Sequence, residues 1–149
     1  MRRLGPLLGV LLLLGCSSQA PPAERSFVAF QVVGDGHQSR PARMALEGGQ
    51  VVLRGEAEAS VDLSAATTAT SLEAVTGQGL LVKSGSLRLP NGQTLQVLRG
   101  TLTLQNLQGG LARGNFEVLC QPTGTATPAG DKPLRGELDI RGSFDAEAR

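Results

Sequence analysis

The residue types that carry out catalysis or bind metals are scarce in this chain of 149 residues. It has one histidine, His37, beside Asp35 and Gly36 in a stretch typical of a turn, and two cysteines, Cys16 and Cys120. No serine lies in the Gly-x-Ser-x-Gly motif of hydrolases, and a zinc or haem site needs several histidine or cysteine ligands. The sequence therefore predicts no catalytic triad, metal or other cofactor, and we expect a protein that is not an enzyme.

Three carboxylates, Glu56, Glu58 and Asp62, have the alternating spacing of a β-strand. That spacing places them on one face, which we interpret as exposed to solvent. A weak calcium site is the alternative, because Ca²⁺ binds oxygen ligands. Paired carboxylates also hydrolyse glycosides, but the chain has no Trp and no Tyr to form the aromatic platforms that sugar sites usually offer.

The start of the chain has the three parts of a secretory leader. Arg2 and Arg3 precede an apolar stretch, Leu4–Leu14, and the small residue Gly15 comes directly before Cys16. The apolar stretch is about half as long as the roughly 20 residues that a membrane-spanning helix needs. We interpret this segment as a cleaved signal, not as an anchor.

The end of the leader, Leu13, Leu14, Gly15 and Cys16, resembles the lipobox of bacterial lipoprotein signal peptides. The resemblance ends at the cysteine. It implies that cleavage leaves Cys16 as the new N-terminus, with a diacylglycerol on its sulfur and a further acyl chain, such as palmitate, on its amine. Two or more such chains hold a protein stably on a membrane. The alternative is an ordinary secretory leader cleaved near Ala20, with an incidental cysteine.

The same resemblance implies a location in the bacterial cell envelope. In lipoproteins an aspartate after the cysteine often means retention in the inner membrane, whereas this chain has Ser17 and Ser18. The periplasmic face of the outer membrane is therefore expected, if the cell has one. The predicted organisation is a signal peptide (1–15), a lipidated cysteine with a flexible, proline-containing tether (16–25) and one β domain (26–149).

Charge argues against nucleic acid as a partner. The chain has 14 basic and 13 acidic residues, and removal of Arg2 and Arg3 with the leader leaves 12 and 13. Phosphate binding needs clustered Lys and Arg, and Lys83 and Lys132 are the only lysines. The expected partners are the membrane, through Cys16, and an envelope protein.

Alternation of apolar and polar residues predicts an all-β domain. It is clearest near the end of the chain, where every second residue from Leu134 to Phe144 is apolar or glycine. We expect about eight mostly antiparallel strands, forming either a sandwich or a barrel. The remaining predicted strands are Phe27–Val33, Ala42–Leu46, Val51–Leu63, Ser71–Val75, Leu80–Leu89, one around Leu98–Leu104 and one around Phe116–Cys120, and residues 64–70 are open to a helical turn instead.

Two glycine-containing turns fix the expected register of the long strands. A three-residue loop at Pro90–Gly92 pairs Leu87 with Leu95 and Gly85 with Val97, and a loop at Gln108–Gly110 pairs Leu102 with Phe116 and Gly100 with Val118. The apolar face changes from Leu95 and Val97 to Leu98 and Leu102, which predicts a β-bulge at residues 97–99.

A recurrent Arg-Gly pair has two interpretations. Arginines on an outer face suit an anionic partner, but we favour a structural role in which glycine relieves crowding inside and arginine pairs with carboxylates such as Glu117, Glu137 or Asp139. Cys120 falls on an apolar face, where a free thiol acts as a small hydrophobic group. Residues 121–133 predict a surface loop. The pairs are Arg54-Gly55, Arg99-Gly100, Arg113-Gly114, Arg135-Gly136 and Arg141-Gly142.

Two functions remain open. The first is a non-catalytic envelope lipoprotein whose β domain binds a partner protein or supports envelope structure. The second is a carrier that holds a lipid or another apolar molecule inside a barrel or curved sheet. An interior cavity lined by Leu102, Phe116, Leu138 and Phe144 would favour the carrier, and a filled interior would favour the first function.

Overall fold

The computed structural model describes residues 21–123 and 134–149, and most of that backbone is β-strand. This confirms the all-β prediction, with nine strands among the described residues instead of about eight. The elements are a helical turn α1 (Pro22–Arg25), strands β1 (Phe27–Val32), β2 (Asp35–Ser39), β3 (Ala42–Glu47), β4 (Gln50–Gly55) and β5 (Ser60–Ala66), a 3-10 turn (Glu73–Val75), and strands β6 (Gly79–Arg88), β7 (Thr94–Gln108), β8 (Leu111–Thr123) and β9 (Leu138–Ala148).

Strands β3 to β9 close into a seven-stranded barrel, one of the two architectures that the sequence left open. Consecutive strands from β3 to β9 pair antiparallel, and β9 then returns to β3. That closing contact is parallel and short, with Arg43 opposite Glu147 and Met44 opposite Ala148. The β1–β2 hairpin lies beside the barrel, because β1 pairs with residues 142–145 of β9, which come before the residues of β9 that contact β3.

The two ends of the barrel differ. At one end, called here the anchor end, α1 meets the β7–β8 turn: a Cβ on Gly110 would lie 3.1 Å from Cγ of Pro22. Ser26 follows α1 and is fully buried, where its hydroxyl donates to the Ala23 carbonyl (2.6 Å) and accepts from the Ala42 N–H (2.9 Å). The opposite end, called the hairpin end, carries the β1–β2 turn, the β6–β7 turn and the start of β9.

Inward-facing glycines make room for aromatic rings on neighbouring strands. Gly142 lies opposite Phe116, and Gly114 lies opposite Phe144. A Cβ on Gly142 would come 2.6 Å from Cε1 of Phe116, and one on Gly114 would come 2.8 Å from Cζ of Phe144. These contacts are too short for any side chain, so glycine at both positions allows the rings to fill the barrel.

The arginine before each of these glycines points outwards. Arg141 pairs with Glu117 (3.4 Å) and Arg113 with Asp145 (3.4 Å), across neighbouring strands. These two ion pairs agree with the structural interpretation of the Arg-Gly pairs at Arg113 and Arg141. Arg135 precedes β9 and belongs to no strand.

Four points of the sequence-based assignment need correction. The predicted strand Val51–Leu63 is two strands, since the chain leaves β4 at residue 56 and reverses into β5 at residue 60. Ser71–Val75 contains a 3-10 turn instead of a strand, and β5 continues to Ala66 where a helical turn was considered. β2 was missed, because its sequence Asp-Gly-His-Gln-Ser has the composition of a loop and too little apolar alternation to indicate a strand.

The hairpin registers are largely confirmed. Leu87 pairs with Leu95, Leu102 with Phe116 and Gly100 with Val118. The β6–β7 pairing is interrupted between its Ser86–Gln96 and Val82–Gly100 pairs, so Gly85 and Val97 form no pair, but the register is the same on both sides and keeps the two residues level, as predicted.

The β7–β8 loop is one residue shorter than predicted, and a bulge in β7 compensates for the difference. Its loop has two residues, Gly109 and Gly110, both with positive φ, because Gln108 pairs with Leu111. A bulge at Gln105 restores the expected pairs beyond it. The predicted bulge at residues 97–99 is present, but Leu98 is its outward residue and is 40% exposed, so its assignment to the apolar face was wrong.

Candidate functional site

A large cleft lies at the hairpin end, on the outside of the barrel wall. It has a volume of about 1010 Å³ and lies where the β1–β2 hairpin meets the first half of β9. Its floor consists of small residues, Ala29 on β1, Gly36 on β2 and Gly142 and Ser143 on β9. Small side chains at these positions leave backbone and open space at the surface of the sheet.

The walls of this cleft carry uncompensated negative charge. Glu58, in the chain between β4 and β5, and Asp139, at the start of β9, are both exposed, and neither makes an ion pair within the described residues. Arg141 also lines the cleft, but its guanidinium extends to Glu117 on β8. Two carboxylates are therefore free to attract a cationic group.

Backbone strain is concentrated at the same cleft. Val33 (φ +48°) and Glu58 (φ +67°) are the two non-glycine residues with positive φ among residues 21–123 and 134–149, and both line it. Such a conformation costs about 1–3 kcal/mol, and for a β-branched valine it is a genuine outlier. The Val33 side chain is also 73% exposed, the highest value among the large apolar residues described.

The edge of β2 beside the cleft is only partly paired. Ala59 N–H donates to the Gln38 carbonyl (3.2 Å), and Ser39 bridges to Glu58, so this side of β2 is covered near its end. Backbone groups of alternate residues point to the same edge. The N–H and C=O of Gly36 therefore point to the open edge, beyond the last described partner.

His37, the only histidine in the sequence, lies within β2 and not in a turn. Its ring packs on Phe30 of β1 with 5.5 Å between centroids, and the residue is half-buried. A histidine in this position contributes apolar contact within the β1–β2 hairpin. Within the described residues, no group of three His, Cys, Asp or Glu residues is placed to hold a metal ion.

The three alternating carboxylates do not share one strand. Glu56 pairs with Arg43 (2.9 Å), and Asp62 on β5 lies 3.9 Å from Arg54. All three are exposed as predicted. Glu58 lines the cleft instead, so the prediction that the three carboxylates share one face of a strand was wrong.

The two cysteines have separate outcomes. Cys16, the predicted lipidation site, lies outside the described residues. Of the predicted loop at residues 121–133, the first three residues belong to β8, and residues 124–133 lie outside the described residues. Cys120 is fully buried and free, which confirms its place on the apolar face. Burial, followed by the nearby carboxylate of Asp139, raises the pKa of the Cys120 thiol to about 12.

The barrel interior is filled with side chains. Leu102, Phe116 and Phe144 are between 0 and 2% exposed, and Leu138 is half-buried at the hairpin end. A side chain with so little accessible surface has no neighbouring space large enough for a water molecule. The residues that would line a carrier cavity pack against one another and against the inward glycines.

The cleft was missed at the sequence level, and its signals were indirect. The sequence predicted an ordinary turn at Gly34–Gly36 and placed Val33 at the end of the preceding strand. The useful signal was a valine beside glycine in a polar stretch, because an apolar β-branched residue is unusual in a tight turn.

Comparison with known proteins finds no protein-family model, no curated protein and no solved structure that matches this chain. Within the described ranges, no helix has the length and apolar character needed to cross a membrane.

Proposed function

We propose that the chain is a lipid-anchored lipoprotein of the bacterial envelope whose barrel is a non-catalytic module for binding a partner protein. The lipobox-like residues before Cys16 carry the anchoring part of this proposal. The membrane is then one partner, reached through lipid on Cys16, and an envelope protein is the other. The outer membrane's periplasmic face is the favoured location where an organism has one.

The polarity of the barrel supports the binding part. α1 packs against the anchor end and begins only six residues after Cys16, and six residues of extended chain span at most about 22 Å. The last part of the predicted flexible tether, Pro22–Arg25, forms a helical turn instead of an extended chain. The anchor end would face the lipid surface, and the cleft at the hairpin end would face away from it, accessible to a partner.

The filled interior favours this function over the carrier. A carrier needs a cavity of a few hundred cubic ångströms for its ligand. The side chains that would line one, Leu102, Phe116 and Phe144, are packed with almost no accessible surface. The cleft at the hairpin end lies on the outer wall of the barrel instead.

Membrane fractionation tests the proposal. Replacement of Cys16 by serine removes the sulfur that accepts the lipid, and the variant is expected to leave the membrane fraction. Cys120→Ala is the matched control, since it removes the other cysteine and should stay with the membranes. Intact-mass analysis of the wild type should show a diacylglycerol and a further acyl chain. Retention of the serine variant on membranes, or an unlipidated wild type, refutes the proposal.

A further inference from the structure

The cleft at the hairpin end has features that together indicate a particular kind of partner. It has a floor of small residues, an open strand edge at Gly36, an exposed apolar side chain at Val33 and two unpaired carboxylates at Glu58 and Asp139. No single one of these features defines a binding site.

We infer that this cleft binds an extended, basic segment of a partner protein, which adds to the open edge of β2. The inference rests on the proposed function and names the class of partner for that barrel. Addition of a strand uses backbone hydrogen bonds for affinity and side-chain contacts for specificity.

The backbone contribution comes from Gly36. Its N–H and C=O face the open edge, Gly36 carries no side chain of its own, and a Cβ there would have no atom within 4 Å. β2 itself carries no lysine or proline, residues with which proteins commonly protect exposed strand edges. On this side of β2 the described hydrogen bonding stops at Gln38, whose carbonyl accepts from the Ala59 N–H.

The side-chain contribution comes from charge and from Val33. With Arg141 directed to Glu117, the cleft walls keep the negative charges of Glu58 and Asp139. Lysine or arginine on alternate positions of an extended segment would project to one face, at a spacing of about 7 Å, and from the open edge of β2 could meet Glu58. Asp139 lies two strands further, on β9, and adds to the negative charge of the cleft. Val33, held outwards at positive φ, offers an apolar contact at the end of the cleft.

Peptide binding to the full chain, purified in mild detergent, tests the inference. The probe is a fluorescent ten-residue peptide of alternating Lys and Thr, and its charge-reversed control alternates Glu and Thr. We expect saturable binding of the lysine peptide that weakens as salt is raised, and at least tenfold weaker binding of the glutamate peptide. Equal affinity for the two peptides, or no binding of either, overturns the inference.

Two pairs of variants separate the charge from the strand edge. Glu58→Gln with Asp139→Asn should weaken binding of the lysine peptide at least tenfold, whereas Glu73→Gln at the anchor end should leave it unchanged. Gly36→Pro should weaken it at least fivefold, because proline removes the edge N–H, while β1 pairing does not use that group. Gly36→Ala keeps the N–H and should bind as the wild type does.

Circular dichroism of each variant checks that the barrel is intact, and amide exchange gives a second measurement. Binding should slow exchange of the Gly36 amide at least tenfold. An unchanged exchange rate at saturation, or wild-type affinity of the Gly36→Pro variant, refutes strand addition. Failure here would leave the behaviour of the Cys16→Ser variant untouched, so the inference and the proposed function fail independently.

Discussion

A single buried thiol is expected to make the barrel sensitive to alkaline pH. Burial, together with the carboxylate of Asp139, raises the pKa of Cys120 from 9.0 to about 12. Below pH 9 the thiol is protonated in the folded and the unfolded chain, so its contribution does not change. Between pH 9 and 12 the unfolded chain releases the proton while the folded chain keeps it, and the free energy of unfolding falls as the pH rises.

The size of this effect follows from the pKa difference. One pKa unit corresponds to about 1.4 kcal/mol, so the loss is about 2 kcal/mol at pH 10.5 and approaches about 4 kcal/mol above pH 12. Few other side chains interfere with this measurement, because the sequence contains no tyrosine and only two lysines, the other residue types that titrate in this range.

The assay is urea unfolding of residues 17–149, in which Cys120 is the only thiol, at pH 8 and pH 10.5 with a reductant. The free energy of unfolding should fall by about 2 kcal/mol for the wild-type sequence. Cys120→Ala should be less stable at pH 8 but should lose little further stability at pH 10.5. An equal loss in both proteins would contradict the assigned role of the thiol.

Two further substitutions probe the packing. Gly142→Ala places a methyl group against the Phe116 ring and the Ala29 carbonyl, and should cost about 1–3 kcal/mol, or about 4 °C of melting temperature per kcal/mol; Gly36→Ala, in open space, is the control, and equal melting temperatures would contradict the close packing. Ser26→Ala leaves the buried Ala42 N–H without its acceptor and should cost about 1–3 kcal/mol in urea unfolding. The exposed Ser84→Ala should cost almost nothing, and a stable Ser26 variant would show that the hydroxyl is dispensable.

The long strands were predictable because their side chains alternate and their turns contain glycine at the required positions. β7, β8 and β9 have one apolar face each, and a one-residue slip would turn that face to solvent, which fixes the Leu102–Phe116 and Gly100–Val118 pairs. The turn length was less predictable, since a shorter loop with a bulge at Gln105 produces the same pairs as a longer loop without one.

The short elements could not be predicted for a different reason. β2 and the Glu56–Ala59 segment owe their positions to contacts with distant parts of the chain, such as the Ala59–Gln38 hydrogen bond, and not to local alternation. The candidate cleft is assembled from β1, β2, β9 and Glu58, which are separated by up to about a hundred residues in sequence. Local patterns contain no information about that assembly.

The parallel contact between β3 and β9 has a consequence for folding. It joins residues 43–44 to residues 147–148, so the ring of strands is complete only after β9 has formed. Until then β3 and β8 both present unpaired edges, and these partly folded forms are open to association with other chains. Contacts so distant in sequence also slow folding, because a long loop must close first. Conditions that slow association between the open forms, such as low protein concentration, should therefore improve the yield of refolded protein.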